Sequence, residues 1–188
     1  MNYELKKSGE SFYEIKKSKF FGFAYTVTSV EQTSDFISKL WNMYSDATHV
    51  CWAARISDGV AKYSDDGEPQ GTAGKPLYNI LEKKNILNCV IAVVRYYGGI
   101  QLGAGGLVRA YSHTGSIAID DAGLQEIVTR HKFSLKVEYT NIDKAKYFLN
   151  KIGAVIIDSD YSMGCTMIVE ISDDNLEILK NSDLYRII

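Results

Sequence analysis

The sequence predicts an α+β protein made of two units, a larger one over residues 1–130 and a smaller one over residues 131–188. Three observations lead to this fold class. Strand-like runs rich in aromatic and β-branched residues alternate with amphipathic helical segments. The nearly unbroken apolar run Cys89–Val94 is typical of a strand buried on both faces. After residue 130 the predicted order is β-α-β-β-α, the split β-α-β pattern of a ferredoxin-like fold.

In the larger unit, the spacing of apolar residues predicts the strands and helices. Two strands are expected within Ser11–Ser29, and an amphipathic helix is expected over Val30–Tyr44. Thr72 is suited to capping a second helix, with Pro76 in its first turn. The other elements expected in this unit are a strand over Thr48–Ile56, the strand Cys89–Val94, a helix that ends near Asp120 and a strand over Leu124–Thr129.

In the smaller unit, alternating residues over His131–Tyr139 predict a first strand, and Asn141 is suited to capping the helix that follows. A second helix is expected to begin at Asp173, and the last strand, over Tyr185–Ile188, is short enough that the sheet could be incomplete. The second and third strands of the unit are expected over Gly153–Asp160 and Cys165–Ile171.

The composition bounds the function. The net charge of −2 gives no reason to expect general affinity for nucleic acid or specificity for DNA, so any polyanion site must be a local patch. Lys16, Lys17 and Lys19 form either a solvated turn between the first two strands or part of a basic rim. No signal peptide or membrane-spanning run is found, so we expect a cytoplasmic protein that does not contact membranes.

The cysteines and histidines give no sign of a metal site. Cys51, Cys89 and Cys165 are far apart and odd in number, which indicates buried thiols in a reducing compartment. The three histidines lack the spacing of metal ligands. We therefore expect no metal and no cofactor, and the sequence does not determine the oligomeric state.

A glycine-rich loop after the apolar run predicts an anion site. It combines a loop that lets backbone amides approach a ligand with the start of a helix, where unpaired amides and the dipole favour negative charge. Arg95, Arg109 and Lys75 would add charged contacts. The alternatives are that the glycines only allow a turn and close packing, and that the arginines pair with nearby carboxylates. The loop matches neither the Walker nor the dinucleotide motif. Its glycines are Gly98, Gly99, Gly103, Gly105 and Gly106.

A second loop concentrates acidic residues. Asp65, Asp66 and Glu68 lie between strand-like and helical segments. They could bind a divalent cation, act as a general base, or form turns and internal ion pairs with Arg95 and Arg109. The last alternative is favoured because no serine or threonine suited to sharing a magnesium ion with a phosphate is evident.

Four blocks of sequence resemble the signature of the IMPACT family, in its bacterial YigZ-like branch. In order they are SKFFGFAY, DATHVCWAAR, SDDGEPQGTAGKP and VVRYYGGIQLGAGGLVRAY, and they span residues 18–111. The resemblance implies a two-layer first domain like the second domain of ribosomal protein S5. It also implies a ferredoxin-like module resembling the last domain of elongation factor G.

Both resemblances point to translation, and we do not expect the kinase regulation of eukaryotic members, which depends on an extra N-terminal domain. The first functional hypothesis is a regulatory or binding protein that engages RNA, the ribosome or a translation factor through the glycine loop. The alternative is an enzyme that binds a phosphorylated small molecule or nucleotide at this loop. That enzyme would use Asp65, Asp66 or Glu68 to hold magnesium or to act as a base.

Overall fold

A computed structural model of the chain describes residues 1–56, 59–162 and 164–188. The chain divides into two compact units, Met1–Ile127 and Val128–Ile188. The boundary expected from the sequence, after residue 130, lies three residues further along the chain. Each unit has its own sheet and its own hydrophobic core, so the two are described separately.

The first unit is built on a five-stranded antiparallel sheet with the order β2-β3-β6-β4-β5. Strand β6 is the central strand, and all of its residues except Tyr96 are buried, as the apolar run predicted. Two further short strands, β1 and β7, pair with each other. The sequence did not predict β1 or β5, which are short and mostly not buried. The strands are β1 Tyr3–Leu5, β2 Gly9–Ile15, β3 Ser18–Thr26, β4 His49–Arg55, β5 Ala61–Ser64, β6 Cys89–Tyr96 and β7 Leu124–Glu126.

Three helices cover the two faces of this sheet. Helices α2 (Gly74–Lys83) and α3 (Ala104–Ala122) pack on one face and form the expected two layers with the sheet. Helix α1 (Val30–Met43) adds a third layer on the opposite face, where Leu40 packs against β4 and β6. Helix α3 therefore lies with one side on the sheet and its first turn at the end of the glycine loop.

The second unit has the ferredoxin-like arrangement that the sequence predicted. Its antiparallel sheet has the order β11-β8-β10-β9, so the first and third strands of the unit lie side by side. The expected last strand is present and completes the sheet. Helices α4 and α5 pack on one face. The elements are β8 Arg130–Val137, α4 Ile142–Lys151, β9 Val155–Asp160, β10 Cys165–Ser172, α5 Leu176–Lys180 and β11 Tyr185–Ile187.

Candidate functional site

The glycine loop joins β6 to α3, as predicted. Gly103 is the residue before the helix, with φ +72°, and no side chain caps the helix there. The first hydrogen bond of the helix runs from the Leu107 amide to the Gly103 carbonyl at 2.9 Å. Helix geometry leaves the amides of the first turn, residues 104–106, without acceptors inside the helix. These amides lie at the exposed start of α3.

The structure corrects the role expected for Arg95. Its side chain is buried, and Nη1 donates to Glu68 Oε1 at 2.5 Å. Nη2 donates to Ser18 Oγ at 3.4 Å, and the guanidinium lies over the rings of Phe20 and Tyr97. The prediction that Arg95 contacts a ligand phosphate is therefore wrong, and the alternative of an internal ion pair is what the structure contains.

The carboxylate of Glu68 joins three parts of the first unit. Besides Arg95, on β6, it accepts a hydrogen bond from Tyr111 Oη, on α3, at 2.7 Å. The Cys51 thiol, on β4, donates to the same hydroxyl at 3.3 Å. Burial raises the pKa of both Cys51 and Tyr111, so both stay protonated at neutral pH. We infer that this buried network fixes the acidic loop and α3 to the sheet.

Asp65 caps helix α2, a role that the sequence analysis gave to Thr72. The carboxylate of Asp65 lies in front of the first turn of the helix, where backbone amides lack partners. Thr72 instead donates its hydroxyl to the Pro69 carbonyl at 2.6 Å. The three amides that Asp65 accepts from are those of Gly71, Ala73 and Gly74, at 2.7, 3.0 and 2.8 Å.

Asp66 is also engaged within the fold. Its carboxylate accepts a hydrogen bond from the Val50 amide at 2.6 Å, and its carbonyl lies 2.6 Å from His49 Nδ1. Together with Asp65 and Glu68, this accounts for all three acids of the loop. No group of three potential metal ligands occurs in the described parts of the chain. The alternative of a magnesium ion or a general base at this loop therefore has no uncommitted carboxylate to support it.

A cleft of about 510 Å³ lies beside the first turns of α3. One wall is the end of β2, with Tyr13 and Lys16, and the other is α3, with Arg109 and His113. Arg109 and His113 are exposed and lie one turn apart on the same side of the helix. Two cationic side chains, Lys16 and Arg109, and the imidazole of His113 thus line one cleft, which we call the basic cleft.

The turn between β2 and β3 brings Lys16 to this cleft at a conformational cost. Lys16 and Lys17 form the two-residue turn, with φ values of +48° and +64°. Two-residue hairpin turns with positive φ at both positions favour Asn-Gly, because glycine has no Cβ and asparagine tolerates this conformation better than most side chains do. Lys16 Nζ donates to the Gln101 carbonyl at 3.4 Å and so links the turn to the glycine loop.

Gly98 allows this contact between the turn and the loop. A Cβ at Gly98 would lie 2.0 Å from the carbonyl carbon of Lys17, which no side chain could tolerate. The Gly98 amide donates to Ser18 Oγ at 3.1 Å, so it is not available to a ligand. Gly98 therefore belongs to the packing of the site, which corrects its predicted role as an anion-binding residue.

The remaining predicted site residues divide between the cleft and its surroundings. Gly106 and Arg109 line the cleft. A Cβ added at Gly105 would lie 3.5 Å from the Arg109 guanidinium. Gly99 is exposed, and its φ of +81° is a backbone conformation that favours glycine over other residues. Lys75 is exposed at the start of α2, with Nζ 4.6 Å from the centre of the Tyr78 ring, and does not line the cleft.

Comparison with known families places this geometry in context. Residues 16–119 match the family model of the Impact N-terminal domain. The chain belongs to the IMPACT family. The matched region begins at Lys16 and contains the glycine loop, Arg109 and His113, so the α3 wall of the basic cleft and Lys16 lie within the shared domain, whereas Tyr13 precedes it.

Relatives of this IMPACT family chain are similar over most of its length. The IMPACT family member YvyE of Bacillus subtilis is 34% identical over 162 residues, 85% of this chain and 75% of YvyE. YigZ of Escherichia coli is 37% identical over 152 residues, 79% of this chain and 74% of YigZ. A crystal structure of a hypothetical protein matches with a TM-score of 0.66 and 28% identity, and covers 99% of this chain and 95% of its own.

Sequence reasoning missed His113 and the position of Lys16. The spacing of four residues between Arg109 and His113 was a usable signal, because it places both on one side of a helix. Nothing in the sequence shows that the β2–β3 turn packs beside α3, since that contact joins residues far apart in the chain. In this IMPACT family chain, the basic cleft depends on that contact.

Proposed function

We propose that this protein is a translation-associated regulatory protein and that it binds RNA through the basic cleft. The observation that carries the proposal is the convergence of Lys16, Arg109 and His113 beside the free amides of the α3 first turn. Helix amides and cationic side chains recognise phosphate oxygens together. Membership of the IMPACT family, and the resemblance of both units to domains of translation proteins, support the biological setting.

The proposal requires several side chains to act together. Amides at an exposed helix start contribute about 0.3–1 kcal/mol to binding an anion, which is too little for a stable complex. Lys16, Lys17 and Arg109 would add charge at successive phosphates along a strand. Tyr97, in the same loop, is 46% exposed and could stack on a base. A short single-stranded segment therefore suits this surface better than one phosphate group.

The strained lysine turn supports a role in binding. Residues held in sparsely populated backbone conformations cluster at functional sites, where the rest of the fold keeps them in place. A turn of Asn and Gly would serve the hairpin equally well and with less strain. Two lysines at these positions instead supply positive charge where the glycine loop and α3 begin.

The test is RNA binding by fluorescence anisotropy across a salt series, with a labelled single-stranded RNA and a labelled hairpin. Arg109→Ala and Lys16→Ala should each weaken binding and lower the slope of log affinity against log salt by about 0.7, the value for one phosphate contact on a single strand. Lys39→Ala is the matched control, because Lys39 is exposed on α1, on the opposite face of the sheet.

Two results would overturn the proposal. The first is an affinity for RNA that does not change with salt, because phosphate contacts release counterions. The second is equal loss of binding in Lys39→Ala and Arg109→Ala, which would mean that any exposed cation serves. Melting curves for every variant separate a loss of binding from a loss of folding.

A further inference from the structure

The open face of the sheet in the second unit carries charges that are sorted by sign. Helices α4 and α5 pack on one face of this sheet, and alternate side chains point to solvent on the other. Asp158 and Asp160, on the edge strand β9, form the acidic stripe of the open face. The basic stripe, on β8 and β11, consists of Arg130, Lys132, Lys136 and Arg186.

Most of these charges form no ion pair within the described residues, although the carboxylates of Asp158 and Asp160 accept hydrogen bonds from the amides of Ser159 and Ser162 at 2.8 and 2.9 Å. In the ion pairs of the described residues, Lys132 pairs with Glu170 at 3.3 Å, and no other member of either stripe takes part. Arg186 lies directly opposite Lys136 on the neighbouring strand, an arrangement of like charges that destabilises a sheet. Protein surfaces ordinarily mix the two signs, so this sorting calls for an external partner.

The surface between the stripes is flat and partly apolar. Ser134 and Thr166 are small, and Ile168 is 38% exposed at the centre of the face. The pairing of Thr166 with both Lys136 and Asp160 puts a basic and an acidic residue at the same height on either side of it. Small and partly apolar residues therefore lie between the two stripes, beside the Lys132–Glu170 pair.

We propose that this face binds the same face of a second copy of the chain. A two-fold axis parallel to the strands, between β8 and β10, would place β9 of one copy opposite β11 of the other. Asp160 of each copy then faces Arg186 of its partner, and Lys136 of the partner lies one strand away. Facing sheets lie about 10 Å apart, a distance that arginine and lysine side chains can span to reach an aspartate.

The charge pattern favours a second copy of the chain over RNA or another protein as the partner of this face. RNA would be repelled by Asp158 and Asp160, and a uniformly acidic or basic protein surface would be repelled by one of the two stripes. A partner must carry the same two stripes in the opposite order. A second copy related by two-fold symmetry meets this condition without further features, because such an interface is self-complementary.

The size of the face indicates a weak complex. Four strands about 4.8 Å apart and about six residues long give a face of about 400 Å² per copy, or about 800 Å² in total. This lies below the roughly 1,200 Å² of stable interfaces, so association should be concentration-dependent. Because charge pairs at a solvent-accessible interface are screened, salt should weaken it.

The test is sedimentation equilibrium of the full chain up to about 1 mM, at about 20 mM and about 0.5 M salt. We expect a dimer at low salt and a Kd at least about tenfold higher at high salt. Lys136→Glu with Arg186→Glu should give a monomer. Asp158→Lys with Asp160→Lys should also give a monomer. A mixture of these two double variants should associate, because one face is then acidic and the other basic.

The matched control is Lys144→Glu with Lys151→Glu, which makes the same change in net charge on exposed residues of α4, away from the open face. This variant should dimerise like the unmodified chain. A chain that stays monomeric at about 1 mM in low salt would overturn the proposal. So would a dimer that persists in the Lys136→Glu, Arg186→Glu variant, or a mixture of the two double variants that fails to associate.

Discussion

The lysine turn between β2 and β3 should trade stability for RNA binding. In the variant Lys16→Asn with Lys17→Gly, both positive φ values would be occupied by residues that tolerate them. Each lysine now costs about 1 kcal/mol in this conformation, so about 2 kcal/mol of strain is relieved. Glycine gives back about 0.5–1 kcal/mol through the entropy of the unfolded chain. The free energy of unfolding should therefore rise by about 1–1.5 kcal/mol.

Tryptophan fluorescence during urea unfolding measures this change in the first unit alone. The chain has two tryptophans, Trp41 and Trp52, and both lie in the first unit. A rise of this size corresponds to an increase of about 2–6 °C in Tm for a chain of this length. The same variant should bind single-stranded RNA more weakly, with a salt slope lower by about 1.4, because two phosphate contacts are lost.

Lys16→Arg with Lys17→Arg is the matched control, since it keeps both charges and both strained positions. Its stability and its RNA affinity should stay close to those of the unmodified chain. A lower stability in Lys16→Asn, Lys17→Gly would refute the assignment of strain to this turn. Unchanged RNA affinity together with higher stability would show that the turn is strained for a reason other than RNA binding.

Three further predictions concern the buried part of the first unit. Glu68→Gln should lower the free energy of unfolding by about 3–5 kcal/mol, because it leaves the Arg95 charge unpaired, and adding Arg95→Met should recover much of this loss in the same urea titration. Asp65→Ala should cost about 2 kcal/mol, whereas Thr72→Ala should cost less, since Asp65 caps α2. Burial raises the pKa of Cys51 and Cys89 above that of an exposed thiol. Neither should therefore react with an alkylating reagent at pH 8 until the chain unfolds. Mass spectrometry of the folded protein after treatment would show any alkylation of either residue.

Local patterns predicted much of the fold. The apolar run Cys89–Val94 identified the central strand because burial on both faces removes polar residues from a strand. Helix α1 followed from its apolar spacing, and the split β-α-β order gave the topology of the second unit. Strand β5, Ala61–Ser64, was not predicted, because its residues are exposed or only half-buried and carry no alternation to detect.

Local patterns could not predict the partners of polar side chains. Arg95 and Glu68 were named as candidates for both a ligand site and an ion pair, and the sequence left these alternatives open. Their contact is decided by the way the acidic loop folds back over the sheet, which involves residues far apart in the chain. Thr72 and Asp65 show the same limit, because a carboxylate seven residues earlier reaches the helix start first.

The buried position of Arg95 makes the basic cleft easier to explain. The glycine loop leaves β6 after Tyr96, the residue next to Arg95, and ends at α3, so its two ends must be held if the loop is to keep one shape. Glu68 holds both ends, since it pairs with Arg95 on β6 and accepts a hydrogen bond from Tyr111 on α3. The Lys17 carbonyl packed against Gly98 adds a third fixed point. Arg95 therefore acts on the cleft by helping to position α3, while Lys16 and Arg109 are exposed at its surface, where a ligand can reach them.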